Sequence, residues 1–229
     1  MKSSKSTGFS LVELLITMTI LIMVLFIGTM AYRQYSVYWH KEMGQFDEKL
    51  QTAKNIVQIH SIIKNIRPHM VKFEENVWGH YFEGASTLIR SVTEHAISQP
   101  GNAAIFELSV VADGESRTLV YREKPIVESP FFNYEADHQY TYEKRFDFRF
   151  DELQFEYFGW RHVDEYFTAL ESPDRFSQAW YGAYSGRDSM VTPNIIRITI
   201  AIDNRNSLLE VPVLQFIPEY IQNYGQGNE

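Results

Sequence analysis

One carboxylate stands alone in an apolar run: the 23 residues from Phe9 to Ala31 carry a single charged side chain, Glu13. As a helix that run covers roughly 35 Å, enough to cross a hydrocarbon core of about 30 Å. A charge held inside lipid costs on the order of 2.5–3.5 kcal/mol at mid-helix, less near an end, and is normally kept for a partner. Lys2 and Lys5 are the only fixed charges upstream, and neither is well placed to pair with Glu13 within lipid. Cutting the chain between Gly8 and Phe9 supplies a better one. The new α-ammonium of Phe9 lies one helical turn from Glu13, and a neighbouring subunit's ammonium neutralises the acid when helices pack side by side. The chemistry suggested is cleavage by another protein, followed by charge pairing as an assembly switch.

Elsewhere the titratable residues do not gather. Metalloprotease, hydrolase, phosphate-loop and EF-hand spacings are missing from the sequence. The histidines, His40, His60, His69, His80, His95, His138 and His162, are scattered. His60 and His69 straddle a predicted helix end and are expected at the surface. The pairs Glu74–Glu75 and Asp164–Glu165 read as solvated charge, and Asp147 and Asp151 as strand residues partnered by Arg145 or Arg149. The expectation is a non-enzymatic chain with no catalytic residue, cofactor or metal site. The aromatic-rich stretch from Phe131 to Tyr184 reads as core and subunit contact more economically than as a glycan platform. There is no cysteine, hence no disulfide or thiolate chemistry, and the formal charge of -8 argues against a nucleic-acid partner.

The N-terminal stretch KSTGFSLVELLITMTIL resembles the class III signal of type IV prepilins and type II secretion pseudopilins. In that family a prepilin peptidase of the inner membrane removes a short basic leader after glycine and N-methylates the new first residue. The resemblance makes Gly8 the last leader residue, Phe9 the mature and methylated N-terminus, and Glu13 the family's fifth-position glutamate. It implies partnership with the peptidase, and with other minor and major pilins or pseudopilins through the N-terminal helix. A secretory signal peptide fits less well, because the apolar run is too long and TMA before Tyr32 is a poor cleavage site. Lys2 and Lys5 predict a cytoplasmic N-terminus in the inner membrane, single-pass, with the remainder periplasmic. Removing both takes the formal charge from -8 to -10.

The expected fold is α+β and pilin-like: a long N-terminal helix, transmembrane in its first half, packed on an antiparallel β-rich domain. The reading divides the chain into a leader (1–8), the membrane part of the helix (9–31), its periplasmic continuation (32–67), a globular domain (68–217) and a flexible tail (218–229). Phe46, Leu50, Ala53, Ile56, Val57 and Ile63 recur at mostly helical spacing, and Pro68 should stop a helix reaching about Arg67. Beyond it the period falls to two. A hairpin is expected around Asp113–Gly114. Phe146, Phe148 and Phe150 should share one strand face, with a turn or bulge near Asp151–Glu152 where the parity shifts to Leu153, Phe155 and Tyr157. A terminal hairpin should turn at Asp203–Asn206, with Pro212 on an edge strand. STLIRSVT reads as strand, with helix as the alternative, and residues 159–193 as a long connection that is functional or carries small elements.

Within the family, the spacing of Leu153, Phe155, Tyr157, Trp160, Trp180, Pro193, Ile196, Arg197 and Ile198 resembles the C-terminal half of J-type minor pseudopilins. That implies a few copies at or near the tip of a periplasmic pseudopilus. A minor pilin of a surface pilus is the alternative, and a membrane-tethered binding module is a third.

Overall fold

The computed structural model describes residues 10–75, 77–114, 116–126, 131, 133–134, 138–148, 150–202 and 205–214. Gly8, Phe9, Arg149, Asp203, Asn204 and the tail 218–229 lie outside the described residues. Two compact units are distinguished, Met1–Gln51 and Thr52–Glu229.

Helix α1 runs over Leu11–Lys64. Its early part is rich in Leu, Ile and Met and contains no proline, which suits an uninterrupted helix. It ends three residues before the expected Arg67. Asn65 turns its side-chain amide onto the Ser61 carbonyl at 2.7 Å, and Arg67, preceding Pro68, is biased to extended backbone. Ile66–Arg67 therefore forms a short strand, β1.

The remaining elements are β2 (Met70–Glu74), β3 (Val77–His80), β4 (Glu83–Ala85), β5 (Leu88–Thr93), β6 (Ala104–Asp113), β7 (Ser116–Pro125), β8 (Tyr142–Phe146), β9 (Glu152–Gly159), α2 (Val163–Glu171), β10 (Ala179–Tyr181), β11 (Tyr184–Ser185), α3 (Gly186–Ser189), β12 (Ile195–Ile202) and β13 (Arg205–Pro212). One antiparallel sheet has the order β11-β4-β5-β6-β7-β8, with β1 also on β5; a second runs β10-β9-β12-β13, and β2 pairs with β3. The α+β architecture is as expected.

Local chemistry accounts for the joints. Gly114, at φ +64°, makes the tight turn between β6 and β7. The break after β8 is larger than a bulge: β8 ends at Phe146 in the first sheet and β9 begins at Glu152 in the second, which is why the apolar parity changes there. Register between β12 and β13 persists to Ile202 opposite Arg205, so Arg205 and Asn206, expected in the turn, are already paired strand. Pro212 sits on an edge strand as expected. Within STLIRSVT the last six residues are strand β5, and the 159–193 connection carries α2, α3, β10 and β11.

The main core lies where the two sheets and the end of α1 meet. Phe106, Leu108, Leu119, Tyr121 and Phe146 from one sheet face Leu153, Phe155, Tyr157, Ile196 and Ile198 from the other. The helix contributes Ile59, Ile62 and Ile63, with Asn55 donating to the Asp147 carbonyl at 3.1 Å. This corrects the expected stripe. Of its members only Ile63 is fully buried; Phe46, Leu50, Ala53 and Val57 are exposed. The sequence carries two apolar sets at helical spacing, and the buried one is Ile59, Ile62 and Ile63.

A second, smaller core of Val71, Tyr81, Val92, Ile105 and Phe131 occupies the opposite face of the larger sheet. His69, expected at the surface, is half-buried beside it. Its ring stacks on Phe131 at 5.5 Å, and Nε2 donates to the Phe131 carbonyl at 2.5 Å. His80 is buried, and desolvation, with His69 nearby, lowers its pKa to about 4. Because the folded value lies below that of the unfolded chain, the unfolded state takes up the proton first. Stability should therefore be complete above about pH 6.5 and decline as pH falls towards about 4. Urea midpoints between pH 7 and 5 test this: His80→Leu should flatten the decline, and an unchanged slope would remove His80 as its cause.

Candidate functional site: the N-terminal helix

The helix begins with a cap. The Ser10 hydroxyl accepts from the Glu13 amide at 3.2 Å, and the Ser10 carbonyl receives the Glu13 and Leu14 amides at 3.0 and 3.2 Å. Ser10 and Glu13 thus have the spacing of a capping box, and Glu13 lies in the first turn, where a carboxylate meets the positive end of the helix dipole. The S-x-x-E spacing is present in the sequence, beneath the more conspicuous lone charge. Gly8 and Phe9 are not brought to Glu13 in any described geometry, since both precede the described residues.

The following residues suit a water-free surrounding. Leu11–Trp39 is long and apolar enough to cross a membrane, and none of its most apolar window is buried inside the protein. Its threonines do not present free donors: Thr17, Thr19 and Thr29 donate to the carbonyls of Leu14, Ile16 and Leu25 at 2.7–2.8 Å. Such local bonds satisfy hydroxyls that lipid cannot. Past the span, Met43, Phe46 and Leu50 remain exposed. The spacing 43-46-50-53-57 alternates three and four, the pattern of a helix-pairing seam.

Other candidate sites carry less. Among the described residues no group of three or more His, Asp or Glu is arranged to hold a metal. Glu74 and Glu75 are exposed, with Glu74 reaching Arg187 at 2.6 Å. Arg145 meets Glu143 at 3.4 Å. A cleft of about 1110 Å³ lies beside β4 and β11, lined by Glu83, Arg161, Glu165, Tyr181 and Asp188 among others; its charges are mixed and no reacting pair is assembled there.

Two polar arrangements are structural. Glu123, fully buried, accepts from the Ile97 and Ser98 amides at 2.8 and 2.5 Å and from the Tyr121 hydroxyl at 2.5 Å. It pins the 97–98 loop to β7, as a buried carboxylate with three donors can. On the other face, Glu83, Arg90, Glu107, Arg122 and Glu143 stand directly opposite one another across β4 to β8. Successive contacts are 2.8, 2.8, 3.1 and 2.9 Å.

The residues of the J-type pattern converge on the smaller sheet. The Arg197 guanidinium lies over the Trp180 ring, 3.6 Å from its centroid, and bridges Glu210 at 2.8 Å and Glu156 at 3.3 Å. Leu153, Phe155, Tyr157, Ile196 and Ile198 point the other way, into the core.

Residues 3–29 match the family described as the prokaryotic N-terminal methylation motif. The chain carries a type IV prepilin-like class III signal, joined to a membrane-capable helix and an antiparallel β-rich domain. Over those residues it resembles a type IV pilin-like subunit, of the pilin or pseudopilin kind. The motif implies processing by a prepilin peptidase and assembly with other pilins. No curated protein matches the chain.

Proposed function

We propose that the chain is a non-enzymatic minor pseudopilin, assembled at or near the tip of a periplasmic pseudopilus in type II protein secretion. The leader is cut between Gly8 and Phe9, Phe9 is N-methylated, and the processed subunit waits in the inner membrane with residues 32–229 in the periplasm. Assembly transfers α1 from lipid to neighbouring helices, and Glu13 takes the α-ammonium of an adjacent subunit as its partner.

The observation that carries this reading is the methylation motif at 3–29 opening a helix whose apolar side chains stay exposed from Leu11 through Leu50. The J-like grouping around Arg197 and Trp180 favours a minor pseudopilin. A minor pilin of a surface pilus differs in destination rather than in chemistry, and the same motif and helix support it.

Glu13→Leu should enter the membrane normally yet reach filaments at a level about tenfold lower, the equivalent of roughly 1.4 kcal/mol. Leu50→Arg, on the exposed seam, should act in the same direction without lowering the domain's melting temperature. Cross-linking to neighbouring subunits, alongside membrane fractionation, reads both. Normal incorporation of Glu13→Leu would refute the charge pair. Deleting the gene separates the two destinations, since secreted proteins held in the periplasm indicate secretion and lost surface fibres indicate a pilus.

A further inference from the structure

The apolar segment is longer than the bilayer needs. Leu11–Trp39 contains 29 residues, about 43 Å of helix against a hydrocarbon core of about 30 Å. Some of it must lie outside the hydrocarbon, and the side chains indicate which end. Tyr32, Tyr35, Tyr38 and Trp39 are all exposed, and Tyr35 stacks on Trp39 at 5.9 Å and 27°. Arg33, beside Tyr32, is the first cation after Lys5. Amphipathic rings together with a long cationic side chain are the pattern of residues at headgroup depth.

We propose that residues 32–39 form a lipid-headgroup anchor at the outer face of the membrane, and that this anchor sets the depth of the entire helix. Counting back about 20 residues from Arg33 fills the hydrocarbon and arrives at Glu13. While the subunit waits in the membrane, its carboxylate lies at the inner lipid boundary, near water, instead of inside the hydrocarbon. A second observation agrees. Glu13 is in the capped first turn below Ser10, so the helix itself starts at that boundary and its unpaired amides meet water or headgroups. The hydroxyls between the two limits are bonded within the helix. The inference rests on the reading that α1 resides in a membrane. It also changes the role of the charge: Glu13 becomes costly to leave unpaired only when the helix leaves lipid for a filament, so its pairing acts at extraction.

The chain contains no cysteine, so single thiols report depth cleanly. Full-length Val12→Cys, Ile20→Cys, Met30→Cys and Val37→Cys would be placed separately in phosphatidylethanolamine–phosphatidylglycerol vesicles and alkylated with N-ethylmaleimide, which needs a hydrated thiolate. The expected result is reaction at Val12→Cys and Val37→Cys at least about tenfold faster than at Ile20→Cys and Met30→Cys. If Val12→Cys is protected like Ile20→Cys while Met30→Cys reacts like Val37→Cys, the helix is displaced towards the outer face and the proposal is overturned. Equal, fast reaction at all four positions would instead remove the membrane reading, and this placement with it. Changing Tyr32, Tyr35, Tyr38 and Trp39 together to Ser should slow alkylation of Val12→Cys as the helix slides towards the outer face and draws its N-terminal end into lipid. An unchanged rate would show that the aromatic residues do not set the depth.

Discussion

Gly8→Leu is expected to leave a chain eight residues longer than the processed form, with the loss of cleavage close to complete. Glycine lets a backbone approach another surface more closely than any other residue, and a protease must bring the peptide on the amino side of its cut against its own catalytic groups. A leucine side chain interposed there should reduce processing at least a hundredfold, corresponding to about 2.7 kcal/mol of lost transition-state binding. The intact mass of the membrane-extracted protein reads the result directly. The consequence reaches further than the cut. Without cleavage Phe9 has no free ammonium, so Glu13 on every neighbouring subunit lacks its proposed partner, and Gly8→Leu should be at least as defective in assembly as Glu13→Leu. Efficient processing of Gly8→Leu would sink the peptidase assignment.

The second large effect is expected in the domain. A Cβ on Gly84 would sit 2.4 Å from the Cζ of Tyr157 and 2.7 Å from two more ring carbons. That ring has nowhere to go. Tyr157 is fully buried, and its hydroxyl donates to the carbonyls of Ala85 and Leu88 at 2.8 and 2.9 Å. The contact couples β4 of the larger sheet to β9 of the smaller, so displacing the ring disturbs both. Gly84→Ala should cost about 3 kcal/mol and lower the melting temperature by roughly 6–12 °C. Gly182→Ala is the control, because nothing lies within 4 Å of its added carbon; it should change stability by no more than about 0.5 kcal/mol. Equal melting of the two variants would mean that the sheets are not joined through this ring.

Much of this was legible in the sequence where one physical demand dominates. A long uncharged run can be little other than a membrane-capable helix, and strict alternation around Asp113–Gly114 and through Ile195–Ile202 allowed only strands. Prediction failed where two demands compete. Phe46, Leu50, Ala53 and Val57 form as good a helical stripe as Asn55, Ile59, Ile62 and Ile63, and periodicity cannot say which one the domain takes. The polar Asn55 even counts against the correct set until its bond to the Asp147 carbonyl is known. The parity shift after Phe150 was visible, but the same shift arises from a bulge or from a move between sheets. His69 is half-buried, and its contact with the distant Phe131 was beyond what a polar ring at a helix end could announce. At the signal itself the chemistry of Gly8, Phe9 and Glu13 was readable, whereas the Ser10 cap was hidden beneath it.

The five-residue row from Glu83 to Glu143 has a bearing on how the sheet reaches its alignment at all. A strand that slid by two residues would keep its greasy side inward, so burial alone would scarcely penalise the error. The row would. With β6 displaced in that way, Arg90 would oppose Ile105 or Ser109 instead of Glu107, and Arg122 would lose the same anion. Alternating sign thus works as a vernier scale, in which only one setting brings every mark into coincidence. For a cysteine-free domain, with no covalent bond to lock a correct pairing once found, such a scale lets a mispaired sheet come apart and try again.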